Sequence, residues 1–119
     1  MIIINILTVN KNWNITFASG SATIQGSGKE LEEIYNLLVQ AEQTKLTVIG
    51  HTDNQGNANL NMTLSNSRAN SVVDYLTQRG ISKERFQTVA GRGQTEPIGD
   101  NSSNSGRAKN RRVDITLLQ

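Results

Sequence analysis

LTVIGHTDNQGNANLNMTLSNSRANSVVDYLTQRG, residues 46–80, is the stretch on which the fold turns. Its first five residues, Leu46, Thr47, Val48, Ile49 and Gly50, form a short apolar run of the kind that makes a buried strand. A polar loop follows over residues 53–59. From Leu60 or Asn61 to Gln78 the apolar residues Leu64, Ala69, Val72, Val73 and Leu76 recur at helical spacing, and Gly80 is placed to cap the helix C-terminus. A helix folding back beside the strand end would bring Asp53 and Arg68 together, although they lie 15 positions apart. One is an acceptor-only carboxylate and the other a permanently charged fork of donors. Such a pair suits a ligand with an ammonium and a carboxylate on one carbon, a free amino-acid centre. It also suits a plain structural ion pair, and spacing alone leaves both readings open.

Upstream, Trp13, Ile15 and Phe17 alternate with polar neighbours, as in a half-buried strand. Asn10, Lys11 and Asn12 read as a turn before it, and the Ile- and Leu-rich residues 2–9 as a strand or strand-like arm. Ser19, Gly20 and Ser21 form a loop. Ser27 and Gly28 precede a helix whose apolar face is Leu31, Ile34, Tyr35, Leu38 and Ala41. Downstream, residues 82–85 make a short turn and residues 86–90 a strand. Gly91, Arg92 and Gly93 open a long loop that holds the only proline, Pro97, and the turn-rich run 99–106. Residues 112–118 alternate again as a last strand. The order β, α, β, α, β, long loop, β predicts an α/β fold of the two-layer α+β sandwich type. Two helices would pack on one face of a sheet mixing parallel and antiparallel strands. The predicted organisation is an N-terminal arm, residues 1–12, and one domain, residues 13–119.

Composition narrows the function. The chain has 119 residues, 35% of them apolar, with five aromatic side chains, so the core must be mainly aliphatic. A formal charge of +2 argues against a dedicated nucleic-acid binder. With no cysteine, thiolate metal sites and cysteine nucleophiles are excluded. No apolar run approaches the ~20 residues of a membrane span, so no membrane insertion of this segment is expected. His51 is the only histidine and lacks partners at metal-ligand spacing, so it reads as a hydrogen-bonded structural residue and no metal or cofactor is expected. Arg107, Lys109, Arg111 and Arg112 make a basic run without aromatic stacking partners nearby. It supports an alternative, nucleic-acid or acidic-partner binding. A metal-dependent cell-wall hydrolase is the nearest enzyme reading. The chain shows neither a serine–histidine–acid arrangement nor a phosphate loop, so the protein reads as a non-enzyme.

Gly50, His51, Thr52, Asp53, Gly56, Asn61, Leu64, Ser65, Arg68, Ala69 and Val72 together resemble the OmpA-like (OmpA/MotB/Pal) peptidoglycan-binding domain. The resemblance continues through Tyr75, Leu76, Gly80, Ile81, Gly91, Arg92, Gly93, Pro97 and Ile98. It closes on Asn101, Gly106, Arg107, Ala108 and the run Asn110, Arg111, Arg112, Val113, with Ile15, Phe17, Ser21, Ala22 and Ile24 matching the first strand and its loop. It implies non-covalent binding of peptidoglycan through the diaminopimelate of the stem peptide. The chain would be a soluble periplasmic domain that ties an outer-membrane or other envelope protein to the cell wall. Carried over, Asp53 and Arg68 grip the free amino-acid end, each serving as the other's partner without ligand. Thr52, Asn61 and Leu64 line the pocket. Phe17, Ser21 and Ala22 form one wall, where backbone amides of residues 19–22 could reach the ligand. Arg112 supports the site or contacts the ligand. Some members of the family dimerise, so a homodimer is an open expectation. This chain departs from the pattern at Ala18, Ser19 and Gly20, where many relatives carry an Asp or Asn that adds ligand contacts.

Overall fold

The computed structural model describes residues 11–118. The strand expected over residues 2–9 lies outside them. Within the described residues the elements are β1 (Lys11–Thr16), α1 (Gly28–Gln40), β2 (Lys45–Gly50), α2 (Ala58–Gln78), β3 (Phe86–Gly91), α3 (Asn104–Asn110) and β4 (Arg112–Leu118). The sheet order is β1-β4-β2-β3. The last strand inserts between the first two, antiparallel to both, and β2 pairs with β3 in parallel. This is the mixed sheet expected from the sequence.

Two local expectations need correcting. Lys11 and Asn12 are strand and not turn, because they pair with Leu117 and Thr116, and the Thr116 hydroxyl donates to Asn12 Oδ1 at 2.7 Å. The long loop after β3 contains a third helix, α3. Its sequence NSGRAKN has no apolar stripe to betray it. It starts where the Ser103 hydroxyl accepts from the Gly106 amide at 3.0 Å, and only Gly106 and Asn110 in it are buried.

The core is aliphatic, as the composition requires. Ile15 of β1, Leu46 and Val48 of β2, and Val113, Ile115 and Leu117 of β4 meet Leu31, Ile34 and Leu38 of α1 and Ala69, Val72 and Leu76 of α2. Each Val, Leu and Ile among them contributes about 1.5–3 kcal/mol when fully buried. On the outer side, Arg79 bridges the two long helices. Its guanidinium lies 4.7 Å from the Tyr35 ring centroid and 5.2 Å from that of Tyr75, and 2.8 Å from the Glu32 carboxylate.

Two glycines let α2 approach the sheet end. A Cβ on Gly50 would run into the Ser65 carbonyl, and one on Gly91 into the Ser65 hydroxyl and the Asn66 amide. Helix and sheet therefore touch backbone to backbone where β2 and β3 end. That contact fixes the distance between the residues after β2 and the N-terminal half of α2.

Candidate functional site

The N-terminal half of α2 buries a polar face. Asn61, Ser65 and Arg68 are buried alongside Ala69, Val72 and Leu76. Leu64, expected to lead the apolar stripe, is only partly buried. Buried polar groups need partners, and these have them. The Ser65 hydroxyl donates to the Met62 carbonyl at 2.7 Å and accepts from the Gly93 amide at 2.9 Å. Asn61 Nδ2 donates to the Gln55 carbonyl at 3.0 Å and to Gln94 Oε1 at 2.9 Å, with the Asp53 carbonyl at 3.5 Å. The helix itself begins at Ala58 because the Asn57 side chain accepts from the amides of Asn59 and Leu60, two turn-initiating bonds at 2.7 and 3.2 Å.

The segment after β2 is equally tied down. The His51 amide donates to the Arg112 carbonyl at 2.8 Å and the Thr52 amide to the Gly93 carbonyl at 2.9 Å. The Thr52 hydroxyl donates to the Asp53 carbonyl at 2.7 Å. Asp53 then caps its own loop, Oδ1 accepting from the Gln55 amide at 3.0 Å.

Arg68 is completely buried, at 0% exposure. Its Nε donates to the Ser21 carbonyl at 2.7 Å, Nη1 to the His51 carbonyl at 2.9 Å and Nη2 to the Ala18 carbonyl at 3.1 Å. The Phe17 ring centroid lies 5.4 Å from the guanidinium. Three of a guanidinium's five N–H donors thus pin the loop after β1 to the end of β2. One turn further along α2, the Ser71 hydroxyl adds a bond to the Ala22 carbonyl at 2.6 Å. The loop accordingly meets α2 with the carbonyls of Ala18, Ser21 and Ala22. Burial pulls the Arg68 pKa down to about 10, against the opposing pull of Asp53 and with a further push from Arg111. It stays charged at neutral pH.

The expected mutual pairing of Asp53 and Arg68 gives way to a different one. Asp53 Oδ2 lies 3.3 Å from Nη1 of Arg111, whose Nε donates to the Phe17 carbonyl at 3.0 Å. Arg68, with three of its donors engaged by carbonyls, acts on Asp53 through space. Arg112, the arginine singled out from the sequence, turns the other way. Its Nε donates to Asp114 Oδ1 at 2.9 Å and its Nη2 to the Glu96 carbonyl at 3.0 Å. His51 joins that cluster with Nε2 3.1 Å from Asp114 Oδ2. Arg112 supports the strand end through its main-chain bond to His51. Arg111 lies between α3 and β4 and Arg112 is the first residue of β4; their side chains leave on different sides, and only Arg111 reaches Asp53. Arg111, Ser65 and Gln94 are the members of this constellation that the sequence reading missed.

The assembled site is one nearly buried carboxylate, 5% exposed for the residue, flanked by two guanidinium groups and closed by a loop turned carbonyl-inward. It has donors and acceptors for a small zwitterion. The model of the OmpA family matches residues 16–111, from the end of β1 through Arg111.

The chain belongs to the OmpA family.

It is 41% identical over 112 residues to the probable lipoprotein YiaD of Escherichia coli, covering 93% of this chain and 51% of that protein. It is 38% identical over 98 residues to the peptidoglycan-binding protein ArfA of Mycobacterium bovis, covering 82% of this chain and 30% of that protein. The chain thus spans about half or less of these relatives. Among solved structures it resembles the cell wall anchor of the T6SS from Pseudomonas aeruginosa, with a TM-score of 0.76 and 36% identity over 92% of this chain and 81% of that one. The peptidoglycan-associated lipoprotein from Burkholderia pseudomallei shares the fold, with a TM-score of 0.83 at 23% identity over 88% of this chain and 89% of that one.

Proposed function

We propose that this domain binds peptidoglycan non-covalently through the diaminopimelate of its stem peptide, and so anchors an envelope protein to the cell wall. The observation that carries this reading is Asp53, a nearly buried carboxylate held between two guanidinium groups at the end of β2. An ammonium seeks the carboxylate and a carboxylate seeks the guanidinium pair, so the site matches a free amino-acid centre. The relatives named as a peptidoglycan-binding protein and as a cell wall anchor point the same way. Asp53 and Arg68 form the ligand's two poles, with Thr52, Asn61 and Leu64 along α2 and the strand end, and Phe17, Ser21 and Ala22 as the opposite wall. The domain tethers and performs no chemistry on the wall.

The rival reading, binding through the C-terminal basic run, is less well supported. Arg107 donates to the Asn101 carbonyl, Arg111 reaches Asp53, and Arg112 holds Asp114. These three cations are engaged inside the domain and do not form a stripe open to phosphate.

A nitrogen-edited NMR titration with a diaminopimelate-containing muropeptide tests the proposal. Shifts should cluster on Thr52, Asp53, Asn61 and Arg68. A lysine-containing stem has the ammonium without the adjacent carboxylate and should bind about tenfold or more weakly, since a charged donor is left unmatched. Absence of shifts at millimolar ligand overturns the proposal, and equal affinity for the two stems removes the diaminopimelate specificity.

A further inference from the structure

Arg68 and Arg111 both stand near Asp53, but they are held in different ways. Arg68 is sealed under the loop after β1, with one carbonyl on each of its three nitrogens. Moving it would release the loop and the strand end together. Arg111 is anchored on one side only. Its Nε is fixed on the Phe17 carbonyl, and its Nη1 rests 3.3 Å from Asp53 Oδ2. Its side chain is 19% exposed, whereas that of Asp53 is 7% exposed. The guanidinium therefore has fewer ties than that of Arg68, and it lies nearer to solvent than the carboxylate it covers.

Resting on the diaminopimelate reading above, we propose that Arg111 is an exchangeable counter-ion that sets the charge requirement of the site. It lies on Asp53 and transfers to the carboxylate of an incoming amino-acid centre, while the ligand's ammonium takes its place on Asp53. Arg68 keeps its three carbonyl bonds and remains the fixed cationic pole of the site. One internal ion pair is thereby replaced by two intermolecular ones, and no charge is left without a partner. A ligand that offers only an ammonium displaces Arg111 and gives it nothing in return. A ligand that offers only a carboxylate draws Arg111 away and strands Asp53 in a nearly closed pocket. Either mismatch leaves a desolvated charge, the most costly kind of unmet bond. Selectivity for a zwitterion on one carbon thus comes from the pair already in place.

The sharpest probe is a pair of stem tripeptides, L-alanyl-γ-D-glutamyl-diaminopimelate, identical except that the carboxylate beside the free ammonium is left as the acid or converted to the carboxamide. Wild-type protein should bind the acid about tenfold or more tightly than the amide, the usual scale for a charge-assisted bond lost in a desolvated site. Arg111→Gln retains a donor toward the Phe17 carbonyl and removes the charge. It should bring the two affinities together, because the acid loses its partner on Arg111 and the amide no longer has to displace that group from Asp53. An unaltered acid-to-amide ratio in Arg111→Gln, or no discrimination by wild type, overturns the exchange while leaving peptidoglycan binding standing. Wild type that binds neither stem overturns the functional reading and the exchange with it. The Arg111 Nε–H resonance provides a check that needs no variant. It should move with either stem, since either ammonium lifts Arg111 off Asp53, and a resonance that stays put with the acid stem counts against the exchange.

Discussion

Two arginines at opposite ends of β2 are built alike. Arg68, beyond the strand's C-terminal end, gives its three nitrogens to the carbonyls of Ser21, His51 and Ala18. Arg85, near the strand's start, gives Nε to the Thr44 carbonyl at 2.8 Å and Nη2 to those of Leu38 at 2.9 Å and Ala41 at 2.7 Å. Arg85 thereby closes the C-terminal end of α1, where the helix leaves carbonyls without partners and favours a cation. Burial lowers the pKa of both groups. An arginine spread over backbone carbonyls is thus a fastening used at both ends of β2, and by itself it marks no site. The difference lies in the surroundings. Arg85 has Glu42 within electrostatic reach, an exposed acid. Arg68 has a nearly buried Asp53 and, beyond it, Arg111.

The most severe way to break the comparison is Arg68→Ala. Three carbonyls lose their donor, that of His51 fully buried, so the variant should lose about 3 kcal/mol or more of stability along with wall binding. Urea unfolding and pull-down with cell-wall sacculi measure the two effects. A variant as stable as wild type would show that the loop after β1 holds itself in place. Arg68→Lys keeps the charge, loses the fork and should fall between the two.

Asp53→Ala separates binding from fastening. Asp53 contributes one bond to its own loop and one ion pair with Arg111. Its removal should change stability by about 1 kcal/mol and reduce affinity for a diaminopimelate stem by about tenfold or more. Retention of sacculus binding would remove Asp53 from the site. Arg85→Ala is the mirror experiment. It should lower stability by about 1–2 kcal/mol through the exposed end of α1, with affinity for the stem peptide unchanged. Loss of affinity there would mean that the two fastenings communicate through β2.

This contrast also explains what the sequence could reveal. The strands, both long helices and the mixed sheet follow from periodicities of two and 3.6, and Gly80 stops α2 as expected, with a φ of 102°. The nearness of Asp53 and Arg68 was legible too, because a strand, a short loop and a returning helix leave few alternatives. Three things were not. Helix α3 carries no apolar stripe, so periodicity is silent there. The identity of Asp53's partner depends on how the chain passes from α3 into the register of β4, since Arg111 and Arg112 are adjacent and face opposite ways. The polar face of α2 was hidden by its pattern: Asn61, Ser65 and Arg68 look like a solvated flank until Gly50 and Gly91 bring the sheet end against them.

The far side of the arginine pair offers the smallest effect and the finest test of that register. Arg112 and His51 converge on Asp114. Burial alone would raise the Asp114 carboxyl, but hydrogen bonds from His51 and Arg112, with their charges, hold it below its usual 3.8. A carboxyl whose folded pKa is depressed binds protons more readily in the unfolded chain. Its stabilising contribution is therefore fully present above the unfolded value and is lost as pH falls through the folded one. Asp114→Asn should lower the urea midpoint modestly at neutral pH, and the gap from wild type should close as the medium is taken below the unfolded value. Asp114 is partly solvated, which keeps the effect small. Since Arg111 faces away from Asp114, the same substitution should leave stem-peptide affinity within about twofold, the scatter expected for residues that share no partner. A gap that stays constant into acid would mean that Arg112 gains nothing from the charge on Asp114. A large fall in affinity would mean that the two faces of β4 are coupled through His51, whose carbonyl holds Arg68 and whose ring meets Asp114.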